Sequence, residues 1–171
     1  MLGGWRLGGI FSARTGTPFS PLYSITNPGF LFVSDRPNLA PGRNNNPVTG
    51  VSSGCRGIPA GRQLGGASMY FDPCSFEPPP PGTIGTAARN SIFGPRLVDL
   101  DISLQKDFSL DSRRKLQFRG EFFNLLNHTN LDLPDATVFA DGQGSFSPSA
   151  AKITSTSSTS RQIQLALRLS F

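Results

Sequence analysis

Four runs in which apolar and polar residues alternate, three of them long enough to cross a bilayer, and connections that run long, short, long predict an all-β fold. The specific form they predict is an antiparallel transmembrane β-barrel segment, the last four or so strands of a larger barrel, with long extracellular loops.

The first run spans residues 4–19. Trp5, Leu7, Phe11 and Ala13 oppose Arg6, Ser12 and Arg14, because successive side chains of a strand point to opposite faces. Ile10 interrupts the alternation, and Gly8–Gly9 marks an expected bulge or bend. A long loop, 20–95, follows, with Asn44–Asn45–Asn46, the prolines from Pro78 to Pro81 and many glycines. The second run, 97–108, sets Val98, Leu100, Ile102, Leu104 and Phe108 on one face, with Lys106 the exception, and Asp99, Asp101, Ser103, Gln105 and Asp107 on the other. A short polar turn, 109–114, leads into the third run, 115–127. There Leu116, Phe118, Phe122 and Leu126 alternate with Gln117, Arg119 and Glu121, until Phe123 and Leu125 fall on the polar side. A second loop, 128–160, ends in a Ser/Thr-rich tract from Thr154 to Ser160. The fourth run, 161–171, is the most regular: Ile163, Leu165, Leu167, Leu169 and Phe171 against Gln162, Gln164, Ala166, Arg168 and Ser170.

Alternation also occurs in soluble sandwiches, so length and loop asymmetry carry the membrane reading. About 9–11 residues of tilted strand cross a bilayer, whereas soluble strands commonly have five or six. Bacterial outer-membrane barrels join strands by short periplasmic turns and long outer loops. With the 109–114 turn in the periplasm, the third run goes outward, the fourth returns, and Phe171 ends in the periplasm. Inside lipid every backbone N–H and C=O must be paired, and strands achieve this only in a closed barrel. Four strands cannot close one, so the segment is expected to need preceding strands or copies of itself.

Composition agrees. Glycine (19) and proline (15) make up about a fifth of the chain, against roughly 12% in average usage, which disfavours a helical bundle. No run of about 20 apolar residues is present for a transmembrane helix. Residues Met1 to Trp5 lack a basic region followed by an apolar core, so no signal peptide is visible and the chain is expected to begin within a longer or truncated gene. The net charge of +5 comes from scattered basic residues rather than a dense stripe with interleaved aromatics, so nucleic acid is not an expected partner.

Sites for chemistry are sparse, and no enzyme is expected. Cys55 and Cys74 suit a disulfide in an oxidising compartment, with two free thiols as the alternative; the Cys and His spacings of a metal site are lacking. Asp99 and Asp101 share a strand face; lumen-facing acids paired with Arg119 or Arg168 account for them better than a catalytic carboxylate pair. His128 is the single histidine, read as a strand-end residue, and no G-x-S-x-G elbow, Walker pattern or strand-borne G-x-G-x-x-G accompanies it. Trp5 fits an interfacial girdle, with a buried core position nearly as good a fit. Neither a cofactor nor a metal is expected.

Several blocks resemble the late barrel of TonB-dependent receptors. Phe93–Gly94–Pro95 and the run from Val98 to Phe108 look like a late strand, and the segment from Gln117 to Asn130, containing Phe123–Asn124–Leu125–Leu126–Asn127, resembles the next. The end from Gln164 to Phe171 is similar to their terminal strand. Tyr70–Phe71–Asp72–Pro73, Phe76, Gly82–Thr83–Ile84–Gly85 and Arg89–Asn90 resemble a loop of the Oar-like subgroup. The resemblance covers most of the chain, from about Trp5 to Phe171, but no plug domain, TonB box or early strand is present. It implies energised transport of a small ligand across the bacterial outer membrane, with TonB engaged only through those missing parts. It further implies that Leu165, Leu167, Leu169 and Phe171 form the signal read by the barrel-assembly machinery. On this reading Val98, Leu100, Ile102, Leu104, Leu116, Phe118, Phe122, Ile163, Leu165, Leu167 and Leu169 face outer-membrane lipid. Asp99, Asp101, Arg119, Glu121, Gln164 and Arg168 face the lumen, and the long loops take part in ligand recognition. The competing readings are a soluble or surface-exposed β-rich binding or adhesion module and a non-functional truncated remnant.

Overall fold

The computed structural model describes residues 3–23 and 35–171; the 24–34 part of the expected first loop lies outside them. All regular elements among the described residues are strands, apart from one turn of 3-10 helix at Pro73–Ser75. In chain order the strands are β1 (Trp5–Arg14), β2 (Pro18–Phe19), β3 (Leu22–Tyr23), β4 (Asn38–Leu39), β5 (Phe76–Glu77), β6 (Ile92–Phe93), β7 (Leu97–Ser109), β8 (Lys115–Phe123), β9 (Thr137–Phe139) and β10 (Gln162–Ser170). Two compact units result. One takes the described residues of Met1–Arg14 with Leu97–Asn130 and Thr156–Phe171; the other takes those of Thr15–Arg96 with Leu131–Ser155.

The first unit is a four-stranded antiparallel sheet in the order β1-β7-β8-β10. Its strands are the four alternating runs, with two ends moved and one expected bulge absent. The first run stops at Arg14 rather than 19, because Pro18–Phe19 leaves to pair with Ile92–Phe93. The third stops at Phe123 rather than 127, because Asn124 turns into the left-handed region at φ 47°. Asparagine tolerates that region because its short polar side chain can bond locally. The bulge expected at Gly8–Gly9 does not occur: β1 pairs with β7 without a register shift from Trp5↔Lys106 to Arg14↔Leu97. Among the described residues the sheet remains open, with the outer edges of β1 and β10 facing no further strand.

The second unit corrects the expectation of two long irregular loops. The described parts of 20–95 and 128–160 build a folded body with its own core. Three two-stranded sheets frame it: β2 with β6, β3 with β9 and β4 with β5. Phe71, Ile92, Val138 and Phe139 are almost completely buried at its centre. Phe71 meets Phe19 and Phe76 at ring distances of 6.0 and 6.2 Å, and Phe139 meets Tyr23 and Phe146 at 5.9 and 5.0 Å. Such separations suit tilted and stacked aromatic pairs, which add roughly 0.5–1.5 kcal/mol each beyond area burial.

The Tyr70–Phe71–Asp72–Pro73 block organises this core. Tyr70 donates its hydroxyl to the Phe93 carbonyl at 3.0 Å. The Asp72 carboxylate caps the 3-10 turn by accepting from the Cys74 amide, and it also accepts from the Ser52 hydroxyl and from the amide and hydroxyl of Ser53. Cys74 is bonded to Cys55, with the Cα atoms 5.6 Å apart. Gly85 has a plain steric cause: a Cβ there would lie 1.8 Å from the Arg36 carbonyl oxygen. Gly16 is under the same constraint, 1.7 Å from the carbonyl oxygen of Gly94.

Truncating the central ring tests this core. Phe71→Ala is expected to cost about 3–5 kcal/mol, as for other buried aromatics. Hydrogen exchange at the amides of Ile92 and Val138 should quicken accordingly; unchanged protection there contradicts the packing described.

Candidate functional site

Register decides what each face of the sheet carries, since directly paired residues of antiparallel strands put their side chains on the same side. Across β1, β7, β8 and β10 the rows read Phe11–Leu100, then Gly9–Ile102–Phe122–Ile163, then Leu7–Leu104–Gly120–Leu165. The next rows are Trp5–Lys106–Phe118–Leu167 and Phe108–Leu116–Leu169. This is one continuous apolar face. It is also open: Leu7, Phe11, Leu165 and Leu167 are all strongly exposed, Leu167 to 70%. The intervening rows, such as Ser103–Glu121–Gln164, Arg6–Gln105–Arg119–Ala166 and Asp107–Gln117–Arg168, form the polar face, with Ile10 opposite Asp101, Leu97 opposite Arg14 and Phe123 opposite Gln162 as apolar exceptions. The structure therefore brings Val98, Leu100, Ile102, Leu104, Leu116, Phe118, Phe122, Ile163, Leu165, Leu167 and Leu169 together on one side. Asp99, Asp101, Arg119, Glu121, Gln164 and Arg168 lie on the other. Phe171, just past β10, is 95% exposed.

Lys106 is the one charge on the apolar face, and the structure accounts for it. Its ammonium lies 5.0 Å from the centre of the Trp5 ring and 5.5 Å from that of Phe108, and it donates to the Gly3 carbonyl. Cation–π contact and a backbone acceptor at the end of the strand let a long amphipathic side chain stay among apolar rings. Trp5, 49% exposed, is accordingly a surface residue of this cluster and not a core tryptophan.

On the polar face the expected pairing of Asp99 and Asp101 with Arg119 or Arg168 is not found. Arg119 pairs with Glu121 on its own strand, and Arg6 pairs with Asp107 across strands. The Asp107 carboxylate also accepts from Gln117 at 2.9 Å. Asp101 instead accepts from the amide of Asn124 at 2.9 Å, and one carboxylate oxygen of Asp99 is buried without a partner. The register explains the switch: Arg119 stands opposite Gln105, four residues along β7 from Asp101.

One end of the sheet carries only the tight 110–114 turn. There the backbone amide of Arg113, then the guanidinium and amide of Arg114, hold the Asp111 carboxyl below its usual range. A depressed carboxyl stabilises the fold above its unfolded pKa and loses that contribution as pH falls through the folded one, so this turn loosens only in acid.

The other end is closed by three asparagines spaced three apart, which the sequence reading left without a role. Asn124 donates to the carbonyls of His128 and Thr159 and accepts from the His128 amide, all at 3.0 Å. Asn127 accepts from the Arg161 amide at 3.2 Å. Asn130, 1% exposed, accepts from the amide of Val98 at 2.9 Å and donates to its carbonyl at 3.0 Å. It donates further to the Ser158 hydroxyl at 2.8 Å. The carboxamide thus replaces a neighbouring strand at Val98, taking both backbone groups at once. His128 sits beside it, its Nδ1 3.0 Å from the Asn130 oxygen, consistent with a strand-end role. The clustering of Asn124, Asn127 and Asn130 just past an alternating run was the available signal.

No group of three or more His, Cys, Asp or Glu residues among the described residues is arranged to hold a metal. Among the described residues no helix is long and apolar enough to cross a membrane, which says nothing about crossing by strands.

A two-faced antiparallel sheet with a bare apolar side, strands of 9–13 residues and one tight turn defines an outer-membrane class of β-protein. The family comparison agrees: residues 1–164 match the outer membrane beta barrel domain, and the chain belongs to that family, which places it in the bacterial outer membrane. No curated protein and no solved structure matches it.

Two substitutions probe this arrangement. Leu167→Arg is expected to lower membrane insertion markedly, since an arginine on a lipid face near the midplane costs about 2–4 kcal/mol, whereas Arg168→Leu is expected to be tolerated. Equal membrane yields of the two variants reject the facing assignment. Asn130→Ala strands the Val98 amide and carbonyl, at a cost of roughly 1–3 kcal/mol for each buried group left unpaired. Urea unfolding in vesicles measures that loss.

Proposed function

We propose that this chain is the C-terminal barrel portion of a TonB-dependent receptor and takes part in energised transport of a small ligand across the outer membrane. The observation that carries the reading is the Phe123–Asn124–Leu125–Leu126–Asn127 block. Its resemblance to the penultimate strand end of those receptors is matched by a definite structural task, since Asn124 and Asn127 end β8 and tie it to the returning chain. The Tyr70–Phe71–Asp72–Pro73 and Gly82–Thr83–Ile84–Gly85 blocks likewise sit at constrained points of the second unit.

On this reading the apolar face meets lipid, and the exposed Leu165, Leu167, Leu169 and Phe171 are the signal for the barrel-assembly machinery. TonB acts through a plug domain encoded upstream. On this reading the chain's task is transport, and Asp101 serves the barrel by accepting from the amide of Asn124 at the strand end.

Reading the coding sequence upstream of Met1 tests the proposal. An in-frame continuation encoding a signal peptide, a plug and further alternating strands is expected, and photocrosslinking of that product to TonB in cells should succeed. Stop codons immediately upstream, or a full product that never crosslinks to TonB, defeat the receptor reading.

A further inference from the structure

The second unit contains a cleft of about 420 Å³, within the usual range of small-ligand sites. Three cationic side chains line it, Arg56, Arg62 and Lys152, and no acidic residue does. Ile58, Met69 and Phe146 supply apolar wall. We propose that this cleft binds a small organic anion: an apolar or ring-shaped frame bearing a phosphate monoester, a single group that carries two negative charges.

Charge alone makes a weak argument, because exposed cations are usually just solvated. Two further observations strengthen it. Three acids that the fold brings into this unit, Asp72, Asp135 and Asp141, are already committed to other partners, and none of the unit's acids lines the cleft. Asp72 is held by Ser52, Ser53 and Cys74. Asp141 accepts from the amides of Ser145 and Gln143, and those bonds, led by Ser145, keep its carboxyl below the usual range. Asp135 takes the Ser149 hydroxyl and the Thr137 amide. Among the described residues, the ion pairs involve Arg6, Arg114 and Arg119, so the three cleft cations have no acidic partner.

The second observation is that each cation stands on fixed backbone. Arg56 is at the tip of a two-residue turn closed by reciprocal bonds between Cys55 and Ile58, both 2.9 Å, and Cys55 is bonded to the buried Cys74. The Arg62 carbonyl accepts from the Ser52 amide at 2.8 Å. Lys152 donates its amide to Ser149 and accepts from Asp135, between buried Ala151 and Ile153. Holding like charges around one concavity raises the local positive potential, and a dianion relieves that repulsion. Fixed backbone also limits the ordering cost of binding.

This inference deepens the receptor reading, on which it rests for the ligand's fate but not for its binding. The test is equilibrium binding of phenyl phosphate to the full folded chain in lipid vesicles, with benzyl alcohol as the neutral counterpart. Phenyl phosphate is expected to bind, more weakly as salt rises, while benzyl alcohol does not. Arg56→Gln, Arg62→Gln and Lys152→Gln should each weaken it about tenfold, the usual magnitude for one charge-assisted hydrogen bond. Arg56→Lys and Arg62→Lys should restore most of the affinity and exclude misfolding as the cause. The proposal is overturned if phenyl phosphate binds no better than benzyl alcohol, or if the triple Gln variant with its disulfide intact binds undiminished. Because the assay involves neither TonB nor an energised membrane, failure here leaves the receptor reading standing, and failure to crosslink TonB leaves this one standing.

Discussion

The structure of the first unit depends on one constraint: backbone groups that lose water must find partners, and in a sheet those partners come from a neighbouring strand in register. Between β1 and β7, ten consecutive residue pairs satisfy it without a shift. Since side chains alternate with a period of two, a slip of one residue anywhere would move every leucine of a strand to the polar side. The continuous apolar face is therefore a consequence of register. The alternation in each strand acquires meaning only because all four strands are phased together.

Where the strands stop, the same constraint has to be met by other means. Beyond Phe123 one backbone bond from the Leu125 amide to the Leu100 carbonyl remains, and asparagine side chains take over. A carboxamide has the donor and acceptor of a peptide unit, so Asn130 can serve Val98 as a strand would. Asn124 serves the chain on either side of the following turn. Left-handed backbone at Asn124 and Asn127 lets the chain turn away at once. The polar face solves a milder problem, since water can reach it, and its pairs mix same-strand reach, as in Arg119 with Glu121, with cross-strand bonds such as that of Gln117 to Asp107.

The long strands were legible in the sequence because a period of two survives over nine or more residues. Their ends were less so. The stop at Arg14 depends on Gly16 lying against the Gly94 backbone, a contact 78 positions away that no local pattern signals. The second unit was not legible as a folded body, because its strands are two or three residues long and too short to display periodicity. Its core is assembled from aromatics scattered between Phe19 and Phe146, and its order comes from capping, a disulfide and close glycine contacts. The cationic cleft was hidden for the same reason. Arg56, Arg62 and Lys152 read as scattered charges until the chain brings residues near 56 and 152 to one cavity.

The bond between Cys55 and Cys74 gives the cleft a history as well as a shape. Thiols stay reduced in the bacterial cytoplasm and become oxidised after export. The turn carrying Arg56 is thus anchored only after the chain has left the compartment where it was made. Before that bond forms, the turn carrying Arg56 lacks its covalent tie to the buried Cys74. Maturation of this surface is tied to place, and the chain reaches its final form where it is to work.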